Sequence, residues 1–404
     1  MKINRLAGST LMFAVVALVV PWQAGAEKHY GPGVSDTEIK LGQTMPYSGP
    51  LSGIGTTGRA ELAYFEKINV EGGVNGRKIK LISLDDGYSP PKTMEQVRKL
   101  VEQEQVLAIF HPLGTPTNAA IYRYLNQRQV PHLFLGSGLV RWGDPKNYPW
   151  TMPGVPMYRT EGRVYGRYLL STRPDAKIGV LYQNDDSGKD ALAGLKEGLG
   201  RRAAGMIVAE VSYEPTDPTV DSQVITLKGS GADTFVIFAA VKAAAQALRK
   251  APGIGWKPLT FLIGTSSSIE QVIKPAGLDN AIGVVSTHYL KDPSDSRWND
   301  DAAMKEYVAF MKKYFADGDP LDILNARGYT MAQLMVQVLK QCGDDLSREN
   351  VMRQAANLRK VELPLLLPGI RVSTSPSDYF PFEQLQMMRF DGTRWALFGG
   401  ILEQ

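Results

Sequence analysis

Hydroxyl side chains and free backbone N–H groups gather in two short stretches of this chain. Gly114-Thr115-Pro116-Thr117-Asn118 follows the apolar run 107–110, and Gly136-Ser137-Gly138 follows the apolar run 133–135. Neither stretch holds a strong acid, a base or a thiol. Hydroxyls, amide N–H groups and a helix N-terminus suit holding a small polar group better than reacting with it. Thr115, Pro116, Thr117, Ser137 and Gly138 are therefore candidate ligand contacts. Trp142, Trp150 and Tyr158 cluster just beyond. Aromatics there serve as cleft walls or as packing between lobes.

Other chemical patterns fall short. Gly53-Ile54-Gly55-Thr56-Thr57-Gly58 has the outline of a dinucleotide loop, but eight residues (45–52) separate Thr44 from Gly53. A true dinucleotide loop follows its strand directly, so this one reads as a turn in front of a helix. Asp85-Asp86 and Asp185-Asp186 each follow a predicted strand and precede a predicted helix. Capping and turn chemistry account for both pairs. His29, His111, His132 and His288 show no metal-ligand spacing. His111 and His132 flank apolar strands and read as core or hinge residues. No nucleophile and base set with suitable partners is present, so the chain is read as a binding protein, not an enzyme, with no cofactor.

These residues are carried by a repeating strand and helix pattern. Strands are expected at 39–44, 76–84, 107–110 and 133–135, with helices at 58–70, at 90–104 and after Thr117 or Asn118, which serve as caps. The pattern restarts at Lys177, with strands at 178–182, 206–213, 234–238, 259–263 and 282–287. Such repetition means α/β lobes built on parallel sheets. Helices follow at 300–315, 323–342 and 348–357, and a hairpin turning at Asp391-Gly392 closes the chain. Crossings around 153–157, 287–293 and 376–384 join two lobes, 36–153 with 291–380 and 157–287 with 384–404. Three crossings make a hinge, and hinged lobes close on a ligand.

The first residues are not part of this fold. Lys2 and Arg5, the apolar run 11–20 and Ala24-Gly25-Ala26 form a secretory signal peptide over 1–26, too short to span a bilayer. The single cysteine, Cys342, excludes a disulfide framework. A net charge of +4 without basic runs does not suggest nucleic acid as a partner.

Ser48-Gly49-Pro50, Gly72-Gly73-Val74-Asn75-Gly76-Arg77, Asp85-Asp86 and the Gly114 to Asn118 loop together resemble the periplasmic solute-binding proteins of ABC importers. The resemblance is nearest to the branched-chain amino acid (leucine/isoleucine/valine-binding) family and covers nearly all the mature chain. It implies the type I periplasmic binding fold, two Rossmann-like lobes with parallel sheets joined by a three-segment hinge. It implies a periplasmic protein that captures a small organic solute between the lobes and delivers it to an inner-membrane ABC permease. By position it places the carboxylate of the solute near Thr115–Thr117 and Ser137-Gly138, with Asp185, Ser187, Ala239, Thr265 and Ser266 facing it from the second lobe.

Two features depart from that family. No carboxylate stands at Thr265-Ser266, where the family places an acid for the ligand ammonium, and Glu270 falls in the next helix. Ser187 replaces an aromatic, and Ala239-Ala240-Val241 is small and apolar. A buried ammonium without a counter-charge is expensive. The expected solute is therefore carboxylate-bearing or neutral with an apolar body such as an aromatic acid, set against the family's branched-chain amino acids. A monomer is expected. The same hinge also serves a second reading, a periplasmic sensor feeding a membrane receptor.

Overall fold

Runs of Val, Ile, Leu and Phe at both sheet centres set the architecture. Thr234–Phe238 and His132–Leu135 are buried at every position, as strands covered on both faces require. The computed structural model describes Met1 and residues 28–403. The expected leader, apart from Met1, lies outside the described residues, among which no helix is long and apolar enough to cross a membrane.

Five parallel strands form the first sheet, in spatial order Lys78–Asp85, Glu38–Met45, Ala108–Phe110, His132–Leu135, Thr151–Pro153. Seven form the second, in order Trp395–Glu403, Gln384–Phe390, Val285–His288, Leu259–Leu262, Thr234–Phe238, Ile178–Gln183, Ile207–Tyr213. Its first two strands are the closing hairpin. They run antiparallel and make the second sheet mixed rather than purely parallel. The chain passes from the first sheet to the second after Pro153, leaves it after His288 and returns before Gln384.

Two local expectations change. The helix expected over 90–104 is α-helical only over Pro90–Arg98 and widens into a π-turn at Lys99–Gln103. The next helix opens at Thr115, so Gly114 precedes it in place of the expected Thr117 or Asn118 cap. Gly114 has a φ of 100°, and a Cβ there would sit 2.4 Å from the Tyr88 ring, so only glycine fits. Thr117 and Asn118 instead turn inward and donate to the Gly114 carbonyl.

The lobes touch directly. Ser268 Oγ donates to Asp322 Oδ1 at 2.9 Å, and Gln183 Nε2 donates to the Tyr88 hydroxyl at 3.3 Å. Arg141 and Asp186 form an ion pair at 3.3 Å, both side chains nearly half exposed. Water screens a pair of this kind, so it contributes at most about 1 kcal/mol. Asp186→Asn is expected to change solute affinity by less than about fivefold, measured by calorimetric titration.

Candidate functional site

The Gly114 and Gly136 loops lie at the carboxyl ends of neighbouring strands and face the second lobe across a cleft. The cleft leaves about 710 Å³ of atom-free space, its opening included. Its walls are mostly apolar: Leu51, Ile54, Tyr88 and Leu113 on one side, Phe238, Ala239, Ala240 and Ile263 on the other. Small polar groups interrupt them at Thr115, Ser187, Thr265 and Ser266, and Tyr158 closes the hinge side.

Six of the residues singled out from sequence thus line one cavity: Thr115, Tyr158, Ser187, Ala239, Thr265 and Ser266. The other six lie behind or beside it. Ser137 Oγ stands 2.6 Å from Thr115 Oγ1 and accepts the Trp142 indole N–H at 2.8 Å. Trp142 is fully buried against Tyr122, so it holds the wall without being part of it. Pro116 sits in the first helical turn, where a missing N–H costs nothing. Thr117 caps inward. Gly138 packs so tightly on the first crossing that a Cβ would lie 2.1 Å from the Pro156 carbonyl oxygen. Asp185 caps the helix Asp186–Leu199, accepting from Ser187 and Gly188 N–H groups and from Gln183 Nε2. Both its oxygens are therefore engaged inside the protein.

The dinucleotide-like glycines also have structural duties. Gly58 approaches the Tyr47 hydroxyl, and the two threonines between Gly55 and Gly58 bond to Asn325 and the Leu324 carbonyl. Among the described residues no group of His, Cys, Asp and Glu side chains is arranged to hold a metal.

Sequence reasoning missed the charged groups. Arg327 lines the cleft from the helix Ile323–Cys342 while only 6 % exposed, its Nε without a partner. Among the described residues it forms no ion pair with any carboxylate. The signal was present: Arg327 is the only charged residue before Lys340 in that helix, and its neighbours are buried all round. His111 reads from sequence as a core or hinge residue, with ligand contact the lesser reading. Its Nδ1 meets Glu61 and its Nε2, unpartnered, lies at the cleft wall. His111 carries a φ of 46°, a left-handed conformation that non-glycine residues adopt sparingly.

Glu161 faces Arg327 from the second lobe. Its Oε1 accepts from the Tyr165 hydroxyl, the Gly264 N–H at 2.6 Å and Thr287 Oγ1 at 2.7 Å. Burial raises its pKa to about 7, against the pull of those hydrogen bonds and of Arg327. Below that pH Glu161 is neutral and Arg327 stands unopposed; above it a carboxylate shares the guanidinium field. The other titratable neighbours are the Tyr165 and Tyr289 phenols, both raised by burial, and His288, lowered by burial to about 3. None of them changes charge between pH 6 and 8. Affinity for an anionic solute is expected to fall as pH rises through about 7, and Glu161→Gln to flatten that profile, by titration calorimetry across pH. In the free protein a raised acid pKa gives stability that is full below about 4.5 and lost as pH climbs through about 7.

Two α/β lobes joined by three crossings, with a cleft of convergent polar groups and apolar walls, define a hinged solute-binding protein. The chain belongs to the periplasmic binding protein family, whose model matches residues 38–394. A leucine/isoleucine/valine-binding protein homologue (homolog 7) of Brucella abortus is 24 % identical over 323 residues, covering 77 % of this chain and 79 % of its own. A branched-chain amino acid ABC transporter protein of Thermus thermophilus, solved with valine, superposes with a TM-score of 0.81 at 16 % identity, over 92 % of this chain and 98 % of that one. A solute-binding protein of Rhodopseudomonas palustris, solved with 3,4-dihydroxybenzoic acid, gives 0.75 at 21 % identity, over 91 % and 98 %. The relatives are solute-binding proteins of the leucine/isoleucine/valine type, and this periplasmic chain is likewise a binding protein rather than an enzyme.

Proposed function

We propose that this protein captures a small organic acid with an apolar, aromatic-sized body and presents it to an ABC permease of the inner membrane. Arg327 carries the reading. A buried guanidinium with no carboxylate partner is a costly arrangement unless a ligand supplies the anion. The second support is the fate of the acids. Asp185 is consumed by its helix cap, Glu270 pairs with Lys274, and Glu161 stands beyond Arg327 on the hinge side. No carboxylate is left in the main cleft for the ammonium of an α-amino acid. Apolar walls at Leu51, Ile54, Phe238 and Ile263 suit a hydrocarbon body. The 3,4-dihydroxybenzoic acid bound by the Rhodopseudomonas relative belongs to the same chemical class.

Delivery requires that the solute bind the closed form better than the open one, since equal affinity shifts nothing. Thr115, Tyr158 and the Ser187, Ala239 and Thr265 wall come from both lobes and meet one ligand only when the lobes are shut.

The experiment is a thermal-shift panel on refolded protein, setting benzoate, 3,4-dihydroxybenzoate and octanoate against leucine, isoleucine and valine. A ligand at a hundred times its dissociation constant stabilises by about 2.7 kcal/mol, an easily read shift. Shifts with acids alone support the reading. A shift with the branched-chain amino acids alone overturns it and makes Glu161 the ammonium partner.

A further inference from the structure

Behind the main cleft lies a second, smaller chamber of about 290 Å³ of atom-free space, reached past Val155, Thr265 and Arg327, which line both. Its back wall is the second crossing of the chain. His288 and Tyr289 stand there, 3 % and 4 % exposed; His288 Nε2 has no partner, and the Tyr289 hydroxyl has no well-formed hydrogen bond, only the weak approach of the Arg327 guanidinium. Arg327 Nε is the third unpartnered polar atom on the same chamber. Buried polar atoms nearly always find partners, so three orphans around one small space point to something that fills it.

All three are donors. The Leu290 N–H lies 3.1 Å from His288 Nδ1, and we assign the proton of the neutral ring to Nε2 on that contact. The Leu290 carbonyl lies 3.2 Å from the same nitrogen. The N–H is the group that decides, because an orphaned buried N–H is rarer than an orphaned carbonyl. Arginine Nε has no acceptor capacity, and the Tyr289 hydroxyl, even where Arg327 approaches its oxygen, keeps its own proton to donate. Three donors, one of them charged, suit a carboxylate. Glu161 also lines the chamber; its Oε1 accepts from three donors, and burial, which raises its pKa to about 7, leaves the carboxyl neutral below that pH, where it does not compete for the donors.

We propose that this chamber is a carboxylate subsite. The acid end of the solute passes into it and accepts hydrogen bonds from Arg327 Nε, the Tyr289 hydroxyl and His288 Nε2, leaving its apolar body in the main cleft. This rests on the organic-acid reading above and adds the residues that complete the site. It also places the recognition of charge on the hinge itself, so that seating the acid and closing the lobes become one event.

The chamber can be tested without knowing the natural solute. Trifluoroacetate is a carboxylate small enough to enter it, and its fluorine resonance reports binding directly. The intact protein and its Arg327→Met, Tyr289→Phe and His288→Phe variants are titrated, with trifluoroacetamide as the neutral control. Saturable binding of the acid but not the amide is expected in the unaltered protein. Binding should be lost in R327M and weakened about tenfold in each of Y289F and H288F, as for one hydrogen bond to a charged group. Y289F deletes a hydroxyl whose one contact is the weak approach of Arg327, so its melting temperature should change little, which separates lost binding from lost fold. If R327M loses binding while Y289F and H288F match the unaltered protein, the chamber assignment is overturned and the organic-acid reading survives. If R327M binds as well as the unaltered protein, or the unaltered protein shows no saturable binding or takes the amide equally, both fail.

Discussion

Arg327→Met is expected to weaken binding of the organic-acid solute by about 30-fold to several thousand-fold, the 2–5 kcal/mol typical of removing one partner from a buried charged pair. The argument is electrostatic. In the free protein Arg327 is 6 % exposed and, among the described residues, forms no ion pair; Glu161 acts on it only at longer range and only when ionised, above about pH 7. The anion of the solute is then what offsets its desolvation, and most of that attraction appears as affinity. Methionine keeps the length and apolar contacts of the side chain while deleting the charge. Below about pH 7, where Glu161 is neutral, stability of the free protein should therefore hold or rise, because an uncompensated buried charge has been removed. Arg327→Lys should fall between, since an ammonium keeps the charge but loses the planar donor fork. Titration calorimetry reads the affinity, and thermal melts with and without solute read the other half. A variant that melts lower when free and keeps its solute shift would show that Arg327 serves the fold instead.

Trp142→Ala is expected to cost about 3–5 kcal/mol of stability, the usual range for emptying a large aromatic site in a well-packed interior. Trp142 is fully buried, packs edge-on against Tyr122 at 5.3 Å and donates from its indole to Ser137 Oγ. Ser137 in turn meets Thr115, which lines the cleft. The loss should therefore appear twice, as a lower denaturation midpoint and as weaker binding. Trp142→Phe separates the two. It keeps most of the packing but removes the N–H, a loss of about 1 kcal/mol. A Phe variant with near-normal stability and reduced affinity would show that Trp142 orients the Thr115–Ser137 pair. Equal affinity in both would confine Trp142 to the core.

How far the chain is legible depends on the range of the interaction. The strand and helix pattern is a local property of side-chain spacing. That is why Thr234–Phe238 and Ile323–Cys342 are readable to the residue. The hairpin at Asp391-Gly392 is readable for the same reason, since turn residues carry their own conformational preference. Caps are less legible. Thr117 and Asn118 have good capping chemistry, yet the helix already begins at Thr115, and the residue before it must be glycine because Tyr88, distant in sequence, fills the space a side chain would need. Asp185 shows the same limit. Its position after a strand suggests either a cap or a ligand contact, and only the geometry of Ser187, Gly188 and Gln183 around it reveals that both oxygens are spent.

By itself the amino-acid sequence determined the α/β class, the succession of elements and the two polar loops at the carboxyl ends of neighbouring strands. Those follow from period, turn chemistry and burial of apolar runs, which act over a few residues. The charge at the site was decided only in three dimensions. Arg327 comes from a helix some 200 residues along the chain from the Thr115 loop, and Glu161, His288 and Tyr289 come from segments that meet only where the crossings pass between the lobes. Whether a buried arginine is paired or waiting for an anion depends on which carboxylates come within a few ångströms, and the packing of the two lobes alone sets that distance.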